Sequence, residues 1–398
     1  MIKEIFELQN PWRFKMDFSF NLKNRDILSY IIGNLNNNKI IGLIGSRQVG
    51  KSSIIFLMIQ HLIRENIPTQ SLFYFNLDDL KLQELFYDLP EFIQFIGKDD
   101  SRKFVFIDEI QRLQNPGLFL KELYDLGLNI KIIFSGSSQL EIKSKLKEHL
   151  VGRARQFEIH RLSFSEYLNF AAPVTKKQAL ADMLIFGAYP AVALETQKIE
   201  KKLILKDIYQ SYIEKDITDF LRVENVQAFN RMAGLLANQS GHLLNIDNLA
   251  TSLKISRNET EKYISILEQT FIIKRIHPFY KNYKKEITKT PKVYFMDMGL
   301  RNYAVNNYND LDMRNDQGNL FENFFLLEML CNDPLSQNKI NFWRTTNQTE
   351  IDFIVTKENA IEAIEVKWEK ETIPKSFQTL AKYYPEISTK VITEKYFS

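Results

Sequence analysis

Between Ile40 and about Ser138 short apolar runs alternate with longer stretches whose apolar residues recur at helical spacing. KIIGLIG precedes a helix over Lys51 to Glu65, SLFYFNL precedes a variable helical region, KFVFIDE precedes a helix over Leu118 to Leu126, and NIKIIFSGS closes the series. Near-continuous apolar runs are what strands buried on both faces need, so the alternation predicts a parallel sheet covered by helices on both sides. Ligands of such sheets sit beyond the carboxyl ends of the strands.

From Gln139 to about Ala237 the pattern is mostly helical, broken by a strand at QFEIHRL. Gly241 to His277 then reads helix, turn, helix, strand. Beyond Tyr294 a helix around Glu322 to Leu330 is followed by strands KINFWRT, EIDFIVT and AIEAIEVKW and by a helix from Lys375 to Tyr383. Linkers are expected near residues 150–160 and 281–292, which divides the α/β chain into residues 1–155, 156–285 and 286–398. No repeat of solenoid length and no low-complexity tract interrupts this order.

Composition narrows the picture. At roughly 150 residues per domain, 398 residues make two or three domains. Fifty-two basic against 49 acidic side chains leave +3, so any nucleic-acid surface must be a local patch. Thirty Phe and 17 Tyr supply ample core, and 14 glycines are about half of ordinary usage, which excludes disordered and fibrous classes. Cys331 is the one cysteine, so no internal disulfide forms, and five histidines without tight spacing argue against zinc. The longest apolar run, Ile54 to Ile63, is interrupted by Gln60 and His61 and falls far short of the ~20 residues of a membrane span. A cytoplasmic protein with no membrane partner is expected.

After KIIGLI, the sequence Gly45-Ser46-Arg47-Gln48-Val49-Gly50-Lys51-Ser52 matches G-x-x-x-x-G-K-[ST] between a strand and a helix. In that context backbone N–H groups of the loop wrap phosphates, Lys51 reaches the β and γ oxygens, and the Ser52 hydroxyl ligates Mg²⁺, with Ser53 continuing the nucleotide-contacting stretch. The alternative is a glycine turn that merely opens a helix. Asp108 and Glu109 end the apolar run FVFIDE, where Asp108 would serve the metal and Glu109 would deprotonate the attacking water; capping of the next helix is the other reading. The pair, with the loop, predicts hydrolysis and not binding alone. Ser137, in FSGSS, is the candidate sensor of the γ-phosphate, or equally an N-cap. Arg153 and Arg155 are candidates for a charge-stabilising arginine, in cis or offered to a neighbouring subunit, against the alternative of a solvated strand edge.

In IDNLATSLKISRNETEKYISILEQTFIIKRIHPFY, Ser256 and Glu259 have capping-box spacing, Tyr263, Ile266 and Leu267 share one helical face, and Arg257, Asn258 and Glu261 point away from it. A helix, turn, helix and strand of this kind suit a winged helix that reads DNA. The following Lys281, Lys284, Lys285, Lys289 and Lys292, with Tyr280 and Tyr283 interleaved, would contact phosphates or form a charged linker. In the last segment Glu365 and Lys367 are two apart on a strand and share a face, and Asp352 lies on a neighbouring strand. Two carboxylates and a lysine are the set for metal-assisted phosphodiester hydrolysis, to which Glu322 would add a fourth group from a helix; an ordinary exposed strand face has the same pattern.

GSRQVGKSS, FVFIDEIQ, FSGSSQLE, VGR, RLSFSEYL, FGAYPAV, YIEKDI, the winged-helix-like segment, PKVYFMDMGL and the final E…D…E-x-K set occur in an order similar to bacterial and archaeal AAA-superfamily ATPases that end in domain of unknown function 4143. The resemblance covers nearly the whole chain. It implies an AAA-type P-loop αβα ATPase domain, a helical lid with a winged helix, and a C-terminal domain similar to the PD-(D/E)xK restriction-endonuclease fold. Carried over by position, Lys51 and Ser52 would contact nucleotide and metal, Asp108 and Glu109 would form the Mg²⁺ and water-activating pair, Ser137 would be the sensor, and Glu322, Asp352, Glu365 and Lys367 would be the terminal metal set. Nucleases of this fold often carry Gln-x-x-x-Tyr after the E-x-K strand, whereas here Gln378 is followed by Lys382 and then Tyr383. ATP and Mg²⁺ are the implied cofactors and DNA the implied partner, in a homo-oligomer, a monomer or a complex with another protein. Two functions follow: ATP hydrolysis that controls DNA engagement and cleavage by the C-terminal domain, or a nucleotide-switched scaffold in which that domain docks a protein.

Overall fold

Five of the apolar runs become one parallel sheet in the computed structural model: β1 (Ile40–Ile44), β2 (Leu72–Asn76), β3 (Lys103–Asp108), β4 (Ile130–Gly136) and β5 (Ala154–Glu158), in the order β2-β3-β4-β1-β5. The structure describes residues 2–15, 18–137, 149–216, 223–280, 286, 289–358, 360–369 and 372–397. The central strands β1 and β3 are buried along their whole length, as their unbroken apolar sequences require. Helix α1 (Ile2–Gln9) sets Phe6 against Phe73 and Phe75 of β2. Helix α2 (Leu28–Ile32) precedes β1, and α3 (Lys51–Arg64) buries Ile54, Ile55, Met58, Ile59 and Leu62. Helices α4 (Leu80–Glu84), α5 (Leu89–Ile96) and α6 (Pro116–Asp125) complete the helical layers. The edge of β2 is closed by one side chain: Asn10 Nδ2 donates to Tyr74 O, and Asn10 Oδ1 accepts from Tyr74 N, both at 2.8 Å, so the amide copies a neighbouring strand.

β5 overlaps the strand expected at QFEIHRL and lies within the span where a linker was also expected. Its residues Ala154 to Glu158 pair in parallel with Ile40 to Ile44 of β1, so the sheet runs past residue 155. Phe157 is its one buried residue, and an edge strand of this kind carries little apolar signal. The chain divides into two compact units, Met1–His160 and Arg161–Ser398.

The second unit begins with α7 (Phe164–Ala171), α8 (Lys176–Phe186), α9 (Pro190–Leu194), α10 (Lys198–Ile208) and α11 (Val226–Asn238). Helices α12 (Ile246–Leu253) and α13 (Arg257–Gln269) lead into β6 (Ile273–Ile276), which pairs antiparallel with β7 (Lys292–Phe295). After α14 (Met298–Ala304) and α15 (Gln317–Cys331) come β8 (Lys339–Arg344), β9 (Glu350–Lys357), β10 (Ala360–Val366), α16 (Lys375–Tyr383) and β11 (Ser388–Ile392). Their sheet has the order β11-β10-β9-β8, antiparallel except for the parallel β10/β11 pair.

Phe321, Phe324 and Phe325 of α15 pack with Phe353, Ile364, Tyr167 and Leu184 in one core, and Trp343, Ile354 and Ala363 pack with Phe377 and Leu380 in another. The expected division at residue 285 therefore marks a change of element type inside one unit, because helices from before it and strands from after it share a core. Two of the recurring motifs meet here: Asp297 Oδ2 accepts from Ala188 N at 2.8 Å and its Oδ1 from Leu300 N at 3.1 Å. Among the described residues no helix is long and apolar enough to cross a membrane.

Candidate nucleotide site and C-terminal carboxylate centre

The first site is built where β1 turns into α3. Gly45 follows the last residue of β1, and a Cβ there would lie 2.2 Å from Ile159 O; Ile159 N in turn donates to Ile44 O at 2.6 Å. Only glycine permits that approach of two backbones. Gln48 and Gly50 both have positive φ, 61° and 95°, which curls the loop into a cradle whose amides precede the helix. Lys51 is buried and donates to Gly45 O at 3.0 Å and Ser46 O at 2.8 Å. Burial lowers its pKa, while Glu109 and Asp108 oppose that shift, so the three groups feel one another. Ser52 and Ser53 stand half-buried in the first turn of α3, Arg47 is half-buried, and Ser46 and Val49 are buried.

The acidic pair closes β3. Asp108 is 2% exposed; its Oδ2 accepts from Tyr74 OH at 2.9 Å and its Oδ1 from the Ser135 hydroxyl on β4. Burial and then Asp108 raise the Tyr74 phenol, which keeps that donor protonated. Glu109 has φ 57° and its N–H donates to Ser135 Oγ at 3.1 Å. The left-handed turn brings Gln111 back beneath it: Gln111 Nε2 donates to Glu109 Oε2 and, at 2.9 Å, to Ser137 Oγ, which itself lies 3.5 Å from Glu109 Oε2. Ser137, Glu109 and Asp108 are thus brought together, and a buried amide that the sequence reading missed joins two of them. A glutamine two residues after an acidic pair has no apolar or charge signature to mark it.

Arg25 is the second residue missed. It is buried, and its guanidinium donates to Val49 O of the phosphate loop at 2.8 Å and to His160 O at 2.9 Å. Arg153 is not brought to this site within the chain. The parallel register Ile40↔Ala154 puts it at the amino end of the sheet, opposite the loop, where it grips both Asp125 oxygens at 2.9 and 3.2 Å. Arg155 binds Asn34. The candidate Mg²⁺ donors are a serine hydroxyl and a buried carboxylate, hard oxygen ligands that suit the ion beside phosphate oxygens.

In the second unit Asp352 on β9 and Glu365 on β10 lie on adjacent strands, one step beyond the pair Phe353↔Ile364, and Asp352 Oδ2 accepts from Val366 N at 2.8 Å. Lys367 donates to Glu365 Oε1 at 2.6 Å. Burial, then Glu322 and Glu365, raise the Asp352 carboxyl well above its ordinary value, so Glu322, Asp352, Glu365 and Lys367 share one centre. Lys292, expected in a linker, is instead the first residue of β7, buried, with its Nζ 3.2 Å from Glu322 Oε1 and 2.6 Å from Glu350 Oε1. Burial lowers its pKa, but Glu322, Glu350 and Asp352 outweigh that and hold it above an ordinary lysine. The spacing of Lys292 and Tyr294, two apart on a strand and so on one face, is the signal that finds them: Tyr294 OH donates to Glu322 Oε1 at 2.6 Å. Among the described residues no group of three or more His, Cys, Asp or Glu is arranged to hold a metal ion.

Arg257, at the start of α13, is exposed and ion-paired with Asp247 and, at 3.1 Å, with Glu261. Ser256 caps the helix by accepting from Glu259 N at 3.1 Å, and the Glu259 carboxylate takes the Tyr263 hydroxyl at 2.6 Å. Lys281, Lys284 and Lys285 lie outside the described residues.

Residues 37–168 match the AAA domain, residues 177–311 a domain of unknown function (DUF8612), and residues 317–396 a domain of unknown function (DUF4143). An uncharacterised protein of Methanocaldococcus jannaschii is 27% identical over 363 residues, which cover 87% of this chain and 77% of that protein. One of Haemophilus influenzae is 26% identical over 340 residues, 82% of this chain and 81% of its own. A Walker-type ATPase of Pyrococcus abyssi is similar in fold, with TM-score 0.50 and 14% identity over 71% of this chain and 96% of that one. The chain thus has a P-loop ATPase-like parallel-sheet core in a segment similar to the AAA domain and a C-terminal segment similar to DUF4143.

Proposed function

We propose that the first unit hydrolyses ATP with Mg²⁺ and that its nucleotide state controls what the second unit binds. The observation that carries this reading is the convergence of Lys51, Asp108, Glu109 and Ser137 at the carboxyl ends of β1, β3 and β4. Bound Mg²⁺, held by Ser52 and Asp108, would neutralise phosphate charge. The loop from Gly45 to Ser53, Ser46, Arg47, Gln48, Val49 and Gly50 included, wraps the phosphates, and Lys51 leaves its carbonyl partners for the β and γ oxygens. Glu109 takes a proton from water as the water oxygen bonds to the γ-phosphorus and the bond to the β–γ bridging oxygen breaks, giving ADP and phosphate.

Lys51→Ala should abolish turnover and weaken nucleotide binding. Glu109→Gln should keep binding and lose turnover by about 10²–10⁴-fold, the usual contribution of a positioned general base. Steady-state phosphate release with a parallel nucleotide-binding titration separates the two, and equal turnover in Glu109→Gln and wild type removes the assignment.

For the second unit, DNA engagement through Arg257, Lys281, Lys284 and Lys285, with cleavage at Glu322, Asp352, Glu365 and Lys367, is one form of the controlled output. Docking of a protein partner is the other. Two observations favour docking: Arg257 is already matched by two carboxylates, and Glu322 of the C-terminal acidic set is already ion-paired with Lys292. DNA affinity measured against salt separates them, since phosphate contacts give a steep fall with ionic strength and a protein-docking surface gives no DNA affinity to titrate.

A further inference from the structure

We infer that Lys292 is the resident cation of the C-terminal carboxylate centre and stands where a divalent ion would have to sit. This concerns the second unit alone and is independent of the hydrolysis proposed for the first. The Lys292 ammonium joins β7 to α15 through Glu322 Oε1 at 3.2 Å and to β9 through Glu350 Oε1 at 2.6 Å. The Tyr294 hydroxyl meets the same Glu322 oxygen at 2.6 Å, so that oxygen already has two donors.

The other charges are matched in the same way. Glu350 Oε2 accepts from Arg344 at 3.1 Å, and Glu365 Oε1 accepts from Lys367 at 2.6 Å. Three basic side chains face four acidic ones, Glu322, Glu350, Asp352 and Glu365, which leaves little unmatched charge for a hard divalent cation that selects sites by carboxylate charge. A second cation entering beside a buried ammonium meets a like charge where screening is weak. Glu365 Oε2 is buried and has no hydrogen-bond partner. The centre therefore joins α15, β7 and β9 through an ammonium bonded to Glu322, a carboxylate that a hydrolytic site of this residue set would need for its metal.

The test uses the full chain without nucleotide, so that the phosphate loop contributes no metal site of its own. Mn²⁺ binding by paramagnetic resonance and thermal unfolding in EDTA or excess Mn²⁺ are compared for wild type, Lys292→Met and Lys292→Met/Glu322→Gln. Wild type should neither bind Mn²⁺ at this centre nor shift its unfolding. Lys292→Met should unfold at lower temperature in EDTA, recover with Mn²⁺, and bind the ion about tenfold or more tightly than wild type, an effect on the scale of remaking a metal's immediate surroundings; the double variant should lose the gain. A folded Lys292→Met that binds Mn²⁺ no better than wild type overturns the inference. So does Mn²⁺ binding by wild type that disappears in Asp352→Asn, and this last comparison decides the matter if Lys292→Met does not fold.

Discussion

Gln111 shows what a single side chain adds to a motif. Its amide donates both ways, to Glu109 Oε2 and to Ser137 Oγ, and a flipped amide would set its oxygen against the Glu109 carboxylate, so the orientation is fixed by charge. The amide oxygen is buried and without a partner. Gln111→Ala should therefore leave ATP affinity in place and lower kcat by about tenfold or more, the lower part of the range for a misaligned base, and a rapid-quench assay reads that directly; unchanged kcat would reduce Gln111 to packing. Lys51, Asp108 and Glu109 are legible from residue types and spacing because phosphate, metal and water chemistry demand those groups at strand ends. Gln111 is not legible, because what recruits it is the positive φ of Glu109, a backbone state that leaves no mark on hydrophobic periodicity. Lys292 is hidden for another reason: it ends a series of five lysines that reads as one charged run, and only its place two residues before Tyr294 on a strand marks it out. Removing it by Lys292→Met in EDTA should cost about 3–5 kcal/mol in denaturant unfolding of the second unit, because buried carboxylates lose their cation.

At the scale of elements, strands with continuous apolar sequence and helices with clear caps are the legible ones. α3 and α16 begin where the pattern puts them, while β5 begins two residues before the strand expected at QFEIHRL, since an edge strand needs only one buried side chain to hold its register against β1. β5 matters to the site because its continuation passes the phosphate loop. Ile159 N pairs with Ile44 O, and Arg25 spans from Val49 O to His160 O, the last residue of the first unit. Gly45→Ala would press a methyl group into the Ile159 carbonyl at 2.2 Å, and a backbone atom has no rotamer by which to move aside. The strand end and the loop must separate, so the variant should lose about 1–3 kcal/mol of stability together with most nucleotide affinity; fluorescence titration with a labelled nucleotide and urea unfolding report the two losses. Arg25 gives a way for loop movement to reach the end of β5, since both carbonyls bind one guanidinium.

The whole molecule is a chain of nearly balanced charge in two compact units, the first with a five-stranded parallel sheet, the second built of helices with two small sheets. A ligand that binds only the folded phosphate loop stabilises the unit containing it, by about 2.7 kcal/mol at a hundredfold excess over Kd. Calorimetry of the full chain should therefore show an unfolding transition that rises with ATP and Mg²⁺ and does not rise in Lys51→Ala. The second transition distinguishes two ways for the units to communicate. If Arg25 and the end of β5 carry nucleotide state to residue 160, ATP should move the second transition as well, and Arg25→Met should abolish that second shift while leaving the first. If ATP moves the first transition alone in wild type, the two units unfold independently, and control of the second unit must then act through an added partner or a neighbouring copy, not along the chain.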